Sequence, residues 1–103
     1  MSYSVKITTE ADNDLRSIYE YIAFELKSSE NAIRQLDRLE QSISKLNEMP
    51  ERYKLYENEP WKSKGLRMMP VDNFIVFYIP DNEKNTVTVI RVMYGGRNIE
   101  KQL

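Results

Sequence analysis

The chain has no cysteine and no histidine in 103 residues. Without cysteine there is neither a disulfide framework nor a thiolate metal site. Without histidine the commonest general base and the commonest metal ligand are both missing. Any catalysis must therefore use Lys, Arg, Tyr, Asp or Glu, and neither a metal nor a cofactor is expected. No stretch approaches the ~18 consecutive apolar residues of a membrane span. The N-terminus lacks a charged-then-apolar signal pattern, so the expected location is cytoplasmic. There is no internal repeat and no low-complexity segment. This length predicts a single domain over 1–103 with a real but modest core.

The net charge is only −1, but it is unevenly placed. Residues 1–60 carry 8 Lys and Arg against 12 Asp and Glu, while residues 61–103 carry 7 against 4. An acidic first part is followed by a basic second part. A uniformly basic chain would point to nonspecific nucleic-acid binding; this chain does not, although a local basic face stays open.

The strongest pattern runs from Phe74 to Arg97. Phe74-Ile75-Val76-Phe77-Tyr78-Ile79 is apolar on both parities, which predicts a central strand buried on both faces. Pro80 to Asn85 forms a turn. Thr86–Tyr94 is rich in β-branched residues and predicts the last strand. Its odd positions place Arg91 among Val87, Val89 and Met93.

Before this lie a first strand, Tyr3–Thr8, with Tyr3, Val5 and Ile7 on one face, and two helices. Thr9 is the expected N-cap, with Asp12 as an approximate reciprocal acid. Helix one spans roughly Glu10–Lys27. Leu15, Ile18, Tyr19, Ile22 and Leu26 form its apolar stripe, widened by Tyr21 and Phe24. Ser28-Ser29 breaks the chain and offers a second cap. Helix two spans roughly Glu30–Glu48 through Ala32, Leu36, Leu39, Ile43 and Leu46, and ends at Met49-Pro50. Glu51–Lys64 reads as a polar linker and the segment expected to move most. A second strand covers 65–71, either at a sheet edge or carrying a bulge because of Pro70. Asp72-Asn73 is a two-residue hairpin turn. Gly95-Gly96 ends the sheet, and 97–103 is a tail of one or two helical turns.

The predicted class is α+β, in the order β-α-α-β-β-β: an antiparallel helical hairpin on one face of a small, mainly antiparallel sheet. Two helices cover one face only, while the central strand is apolar on both. A partner chain is the first expectation for what covers the second face; the tail or the linker is the alternative.

Several segments together resemble one family. Ala11-Asp12-Asn13-Asp14-Leu15-Arg16-Ser17-Ile18-Tyr19-Glu20-Tyr21-Ile22 is similar to the first helix of RelE/ParE-superfamily toxins. The resemblance continues through Leu46-Asn47-Glu48-Met49-Pro50, Leu66-Arg67, Asp72-Asn73-Phe74-Ile75-Val76-Phe77-Tyr78, and Ile90-Arg91-Val92-Met93-Tyr94-Gly95-Gly96-Arg97-Asn98. It implies a type II toxin neutralised by a cognate antitoxin that wraps its surface. On this expectation the antitoxin lies on the sheet face the helices leave open, and Val89→Asp tests that face. RelE-like and YoeB-like members cut mRNA on the ribosome, whereas ParE-like members poison DNA gyrase.

RNA cleavage needs a base, an acid and cations around the phosphorane. RelE-like enzymes carry an arginine early in the strand after the hairpin, where this chain has Ile75. The YoeB-like set needs a C-terminal histidine, which is absent. The remaining candidates are Arg67, Arg91, Tyr94 and Arg97: catalytic if the chain is an RNase, otherwise target-binding or structural. The arginines stay protonated and would clamp phosphate. Tyr94 would be an acid or base only with a pKa well below ~10.

Each has a plainer role. Arg91 holds the tail, or an acid on a helix, through a bidentate pair. Arg67 is a solvated edge charge, Tyr94 a core aromatic with a rim hydroxyl, and Arg97 an exposed tail charge. Trp61 anchors an interface or covers one end of the core. The helix acids form a solvated face, and Asp12 and Asp14 are not a metal site. The expected function is ParE-like gyrase poisoning, with RelE-like mRNA cleavage as the alternative and a non-toxic family member as a third reading.

Overall fold

The computed structural model of the chain describes residues 2–96 and 99–103. Five strands form one sheet in the order β1-β5-β4-β3-β2. They are β1 (Ser4–Ile7), β2 (Lys54–Leu55), β3 (Arg67–Val71), β4 (Phe74–Asp81) and β5 (Thr86–Tyr94). Among the described residues, only the β1–β5 pair is parallel. The helices α1 (Thr9–Glu20) and α2 (Ser29–Ser44) pack on one face, and a short α3 (Ile99–Gln102) lies in the tail. The predicted α+β class and element order hold, with β2 added inside the expected linker.

The first helix starts one residue earlier than predicted. Thr8, not Thr9, is the cap: its Oγ1 accepts from Ala11 N–H at 3.1 Å. The helix also ends differently, because Tyr21–Glu25 is a π-turn and Lys27 follows with φ 52°. The expected stripe does not stay on the core beyond Ile18. Leu15 and Ile18 face the core, whereas Tyr21, Phe24 and Leu26 face solvent. Ser28 occupies the N-cap position of α2 without a side-chain bond. After α2 a 3₁₀ turn over Lys45–Asn47 leads to Met49, at φ 46°, and a second over Pro50–Arg52.

The main core lies between helices and sheet. Leu39, Ile43 and Leu46 meet Met69, Val76, Tyr78, Val87 and Val89, all nearly or completely buried. The sheet's second face is covered in part from within the chain, by the linker and tail of the alternative expectation. Tyr56 and Trp61 from the linker, Leu66 just before β3, and Ile99 and Leu103 from the tail pack on Phe77 and Met93. Trp61 is thus a core cover. The linker is docked rather than free: Lys54 and Leu55 pair with β3, and Tyr56 N–H donates to Leu66 O at 2.8 Å. Pro70 lies beyond the end of β2, on the part of β3 with a neighbour on one side only, as its missing donor demands.

Arg91 on an apolar parity is explained by a bulge. Phe77 pairs with Arg91, but Tyr78 pairs with Val89, so Ile90 is an extra residue in β5. Val87 and Val89 face the helices before the bulge, and Val92 does so after it. Beyond the end of β1, α1 satisfies the exposed backbone of β5. Thr8 Oγ1 donates to Ile90 O at 3.0 Å, and Val92 N–H donates to Asp14 Oδ2 at 2.9 Å.

Candidate functional site

Arg67 and Arg91, two of the predicted site residues, do not converge. Arg67 opens β3 and Arg91 lies on β5, with β4 between them, so their backbones are roughly 10 Å apart. Arg67 is not a solvated edge charge. Its Nη1 donates to Glu51 O at 2.9 Å and Tyr53 O at 2.7 Å, and its Nη2 lies 3.7 Å from Glu51 Oε2. It ties the second 3₁₀ turn to the sheet. Opposite it, Tyr78 O–H donates to Pro50 O at 2.6 Å. Burial pushes the Tyr78 phenol up to about 12, despite the nearby Arg67 charge.

Arg91 makes three side-chain hydrogen bonds. Nε and Nη2 grip Asp14 at 2.7 and 3.0 Å, and Nη1 donates to Gln102 O at 2.8 Å. Both plainer roles, helix acid and tail, are realised together. The bidentate bond to Asp14 raises the guanidinium pKa, so it stays charged. Asp14, expected on a solvated face, is instead half-buried against β5. Tyr94 is not a core aromatic: its side chain stands half-exposed, edge-on to Phe74 at 6.0 Å between centroids. Arg97 lies outside the described residues. Among the described residues, no group of three or more His, Cys, Asp or Glu side chains is placed to hold a metal.

Sequence reasoning missed one cationic feature. A cleft at the β2–β3 edge is lined by Arg52, Tyr53, Lys54, Met68, Pro70 and Ile75. Arg52 and Lys54 are exposed at its rim, and no carboxylate lines it. Lys54 is opposite Met68, and Pro70 opposite Ile75, so these four residues lie on the sheet's second face where linker and tail stop. The guanidinium of Arg52 also sits 5.1 Å from the centre of the Tyr53 ring. The alternation Arg52-Tyr53-Lys54-Leu55 was the available signal, too short to stand out as a strand. Ile75, where RelE-like enzymes carry an arginine, lines this cleft as an apolar side chain.

Several solved structures share this architecture. One is from the chromosomal ParDE toxin–antitoxin system of P. aeruginosa, with a TM-score of 0.75 and 18% identity over 90% of this chain and 96% of that one. A mutant of the E. coli toxin RelE in the free state gives 0.67 and 17%, covering 99% and 93%. The toxin–antitoxin complex RelBE2 from Mycobacterium tuberculosis gives 0.63 and 23%, covering 91% and 99%. Among curated proteins nothing matches. The family described as the ParE toxin of type II toxin–antitoxin system, parDE, matches residues 5–99, nearly the whole chain. With the helical hairpin, the bulged five-stranded sheet and that match in hand, the chain belongs to the ParE toxin family, within the RelE/ParE superfamily of type II toxins.

Proposed function

We propose that this toxin arrests growth in the ParE manner, by binding and poisoning DNA gyrase, and that it has no hydrolytic chemistry of its own. The observation that carries this reading is how its arginines are used. Arg67 and Arg91 are both committed to bonds within the fold, and the position that would hold a third cation in a RelE-like enzyme is Ile75. A phosphorane needs cations converging on one point; these two are on different strands with different partners. On this reading Arg67 and Arg91 are structural, while exposed Tyr94 is available for target contact. The cognate antitoxin takes the part of the sheet's second face left open, beside Arg52 and Lys54.

The test is a supercoiling assay with purified gyrase. The reading expects inhibition by the wild-type chain, retained by Arg91→Lys if that variant still folds. No effect on gyrase, with cleavage of mRNA on translating ribosomes, would refute it. That second reading has one observation in its favour, the cationic rim of Arg52 and Lys54 around a cleft without carboxylates.

A further inference from the structure

The end of the helical hairpin is built unlike the rest of the molecule. From the helices, the core against the sheet takes Ala11, Leu15, Ile18, Leu36, Leu39, Ile43 and Leu46, and nothing between Ile18 and Leu36. The hairpin therefore overhangs the sheet. Ala23 and Ala32 are buried there, small residues that let the two helices close on each other. Outside that contact four large apolar side chains face solvent: Tyr21, Phe24 and Leu26 around the π-turn, and Ile33 on α2, exposed by 57%, 68%, 57% and 59%. They belong to neither core. A π-turn is an uncommon device that often marks a functional position, and Tyr21 and Phe24 both lie in this one.

We infer that this tip is a self-association surface, at which a second copy of the chain docks about a two-fold axis. Two features choose that occupant. The first is charge. The patch is flanked by exposed Glu20, Glu25 and Glu30 and by exposed Lys27 and Arg34. A surface of one sign would repel its own copy, whereas mixed flanks let the acids of one protomer meet the bases of the other, as an isologous contact requires. The second is area. Four side chains more than half exposed present on the order of 500 Å² of apolar surface, at the upper end of what monomers leave open. Doubled across a two-fold axis, that reaches the ~1,000 Å² of a weak but specific interface. The inference holds whichever target the toxin has.

Sedimentation velocity on the full chain, from low micromolar to millimolar concentration, tests this. The wild type is expected to move from 12.2 kDa towards twice that mass, and Phe24→Ser to stay single with unchanged circular dichroism. Lys27→Glu alone, and Glu20→Lys with Glu25→Lys, are each expected to weaken association at least tenfold. An equimolar mixture of the two variants is expected to regain it, which only copy-to-copy pairing of these charges does. A wild type that stays at 12.2 kDa overturns the inference, as does a Phe24→Ser variant that still dimerises or a mixture that does not recover. A single chain that instead floats with phosphatidylcholine vesicles also overturns it and gives the patch to a lipid surface.

Discussion

Arg91 on the last strand and Asp14 on the first helix, 77 residues apart, are joined by two short bonds, and Asp14 also accepts from Val92 N–H. One carboxylate thus satisfies both the guanidinium and the backbone beside the Ile90 bulge. Asp14→Ala would leave a half-buried guanidinium without its counter-charge and a backbone donor without its acceptor. It is expected to lower stability by about 2–3 kcal/mol, and Arg91→Ala by a similar amount. Arg91→Lys is expected to fall between, since an ammonium cannot reproduce the bidentate fork. Urea denaturation measures all three. Equal stability of Asp14→Ala and wild type would mean that the pair does not hold the helix to the sheet.

Tyr78 predicts the alkaline limit of stability. Its hydroxyl donates to Pro50 O inside the core, and burial raises its pKa to about 12. The unfolded phenol ionises near 10. The contribution is complete below pH ~10 and is lost as pH rises from there towards 12. Tyr78→Phe leaves the Pro50 carbonyl without this donor and is expected to cost about 1–2 kcal/mol at neutral pH. It should also flatten the fall in stability above pH ~10. Thermal melts at pH 8, 10 and 11 test both; an unchanged alkaline fall in the variant would place the titrating group elsewhere.

Asp72 sits in the β3–β4 turn at φ 56° and is clamped by Arg38, through bonds of 2.7 Å to each oxygen, and by Gln35 at 3.0 Å. Its bond to Arg38, then that to Gln35, lower the carboxyl pKa. The contribution is therefore present above the unfolded value near 4 and is lost as pH falls through the lower folded value. The pair is exposed, so the effect should be small and salt-sensitive. Asp72→Asn should change stability at pH 6 more than at pH 2. The same difference at both pH values would deny the clamp any role.

Val89→Asp does not report on a partner surface. Val89 is completely buried among the helices and the sheet, away from the second face. A carboxylate there has no partner, and the cost is expected to exceed about 4 kcal/mol, a large share of a small domain's stability. The variant should be unfolded or aggregated by circular dichroism. A well-folded Val89→Asp protein would show that this position is not core.

Much of this fold is legible in the residues, and the exceptions have physical causes. Thr86–Tyr94 is the last strand to the residue, because its β-branched run ends in paired glycines. The central place of β4 follows from its apolar residues on both parities. The Ile90 bulge was hidden by the same property, since a strand apolar on both faces shows no break when its register slips. Thr8 and Thr9 are equivalent as caps until tertiary bonds choose between them, and Thr8 alone reaches Ile90 O. Phe24 lies about 2.5 helical turns beyond Leu15, on the opposite side of the helix, and the hairpin end passes beyond the core, so Tyr21, Phe24 and Leu26 face solvent. At the candidate site the identities of Arg67 and Arg91 were legible, but not their partners, which are carbonyls of the 51–53 segment and the tail, and a helix acid a whole domain away in sequence.

On the gyrase reading proposed above, this toxin stops DNA synthesis before it stops translation. Pulse-labelling of DNA and protein, minutes after inducing the chain without its antitoxin, tests it most directly. Thymidine incorporation is expected to fall first while amino-acid incorporation continues. A first and faster loss of protein synthesis would contradict it, and would turn attention to Arg52 and Lys54 around the cleft as groups that meet RNA.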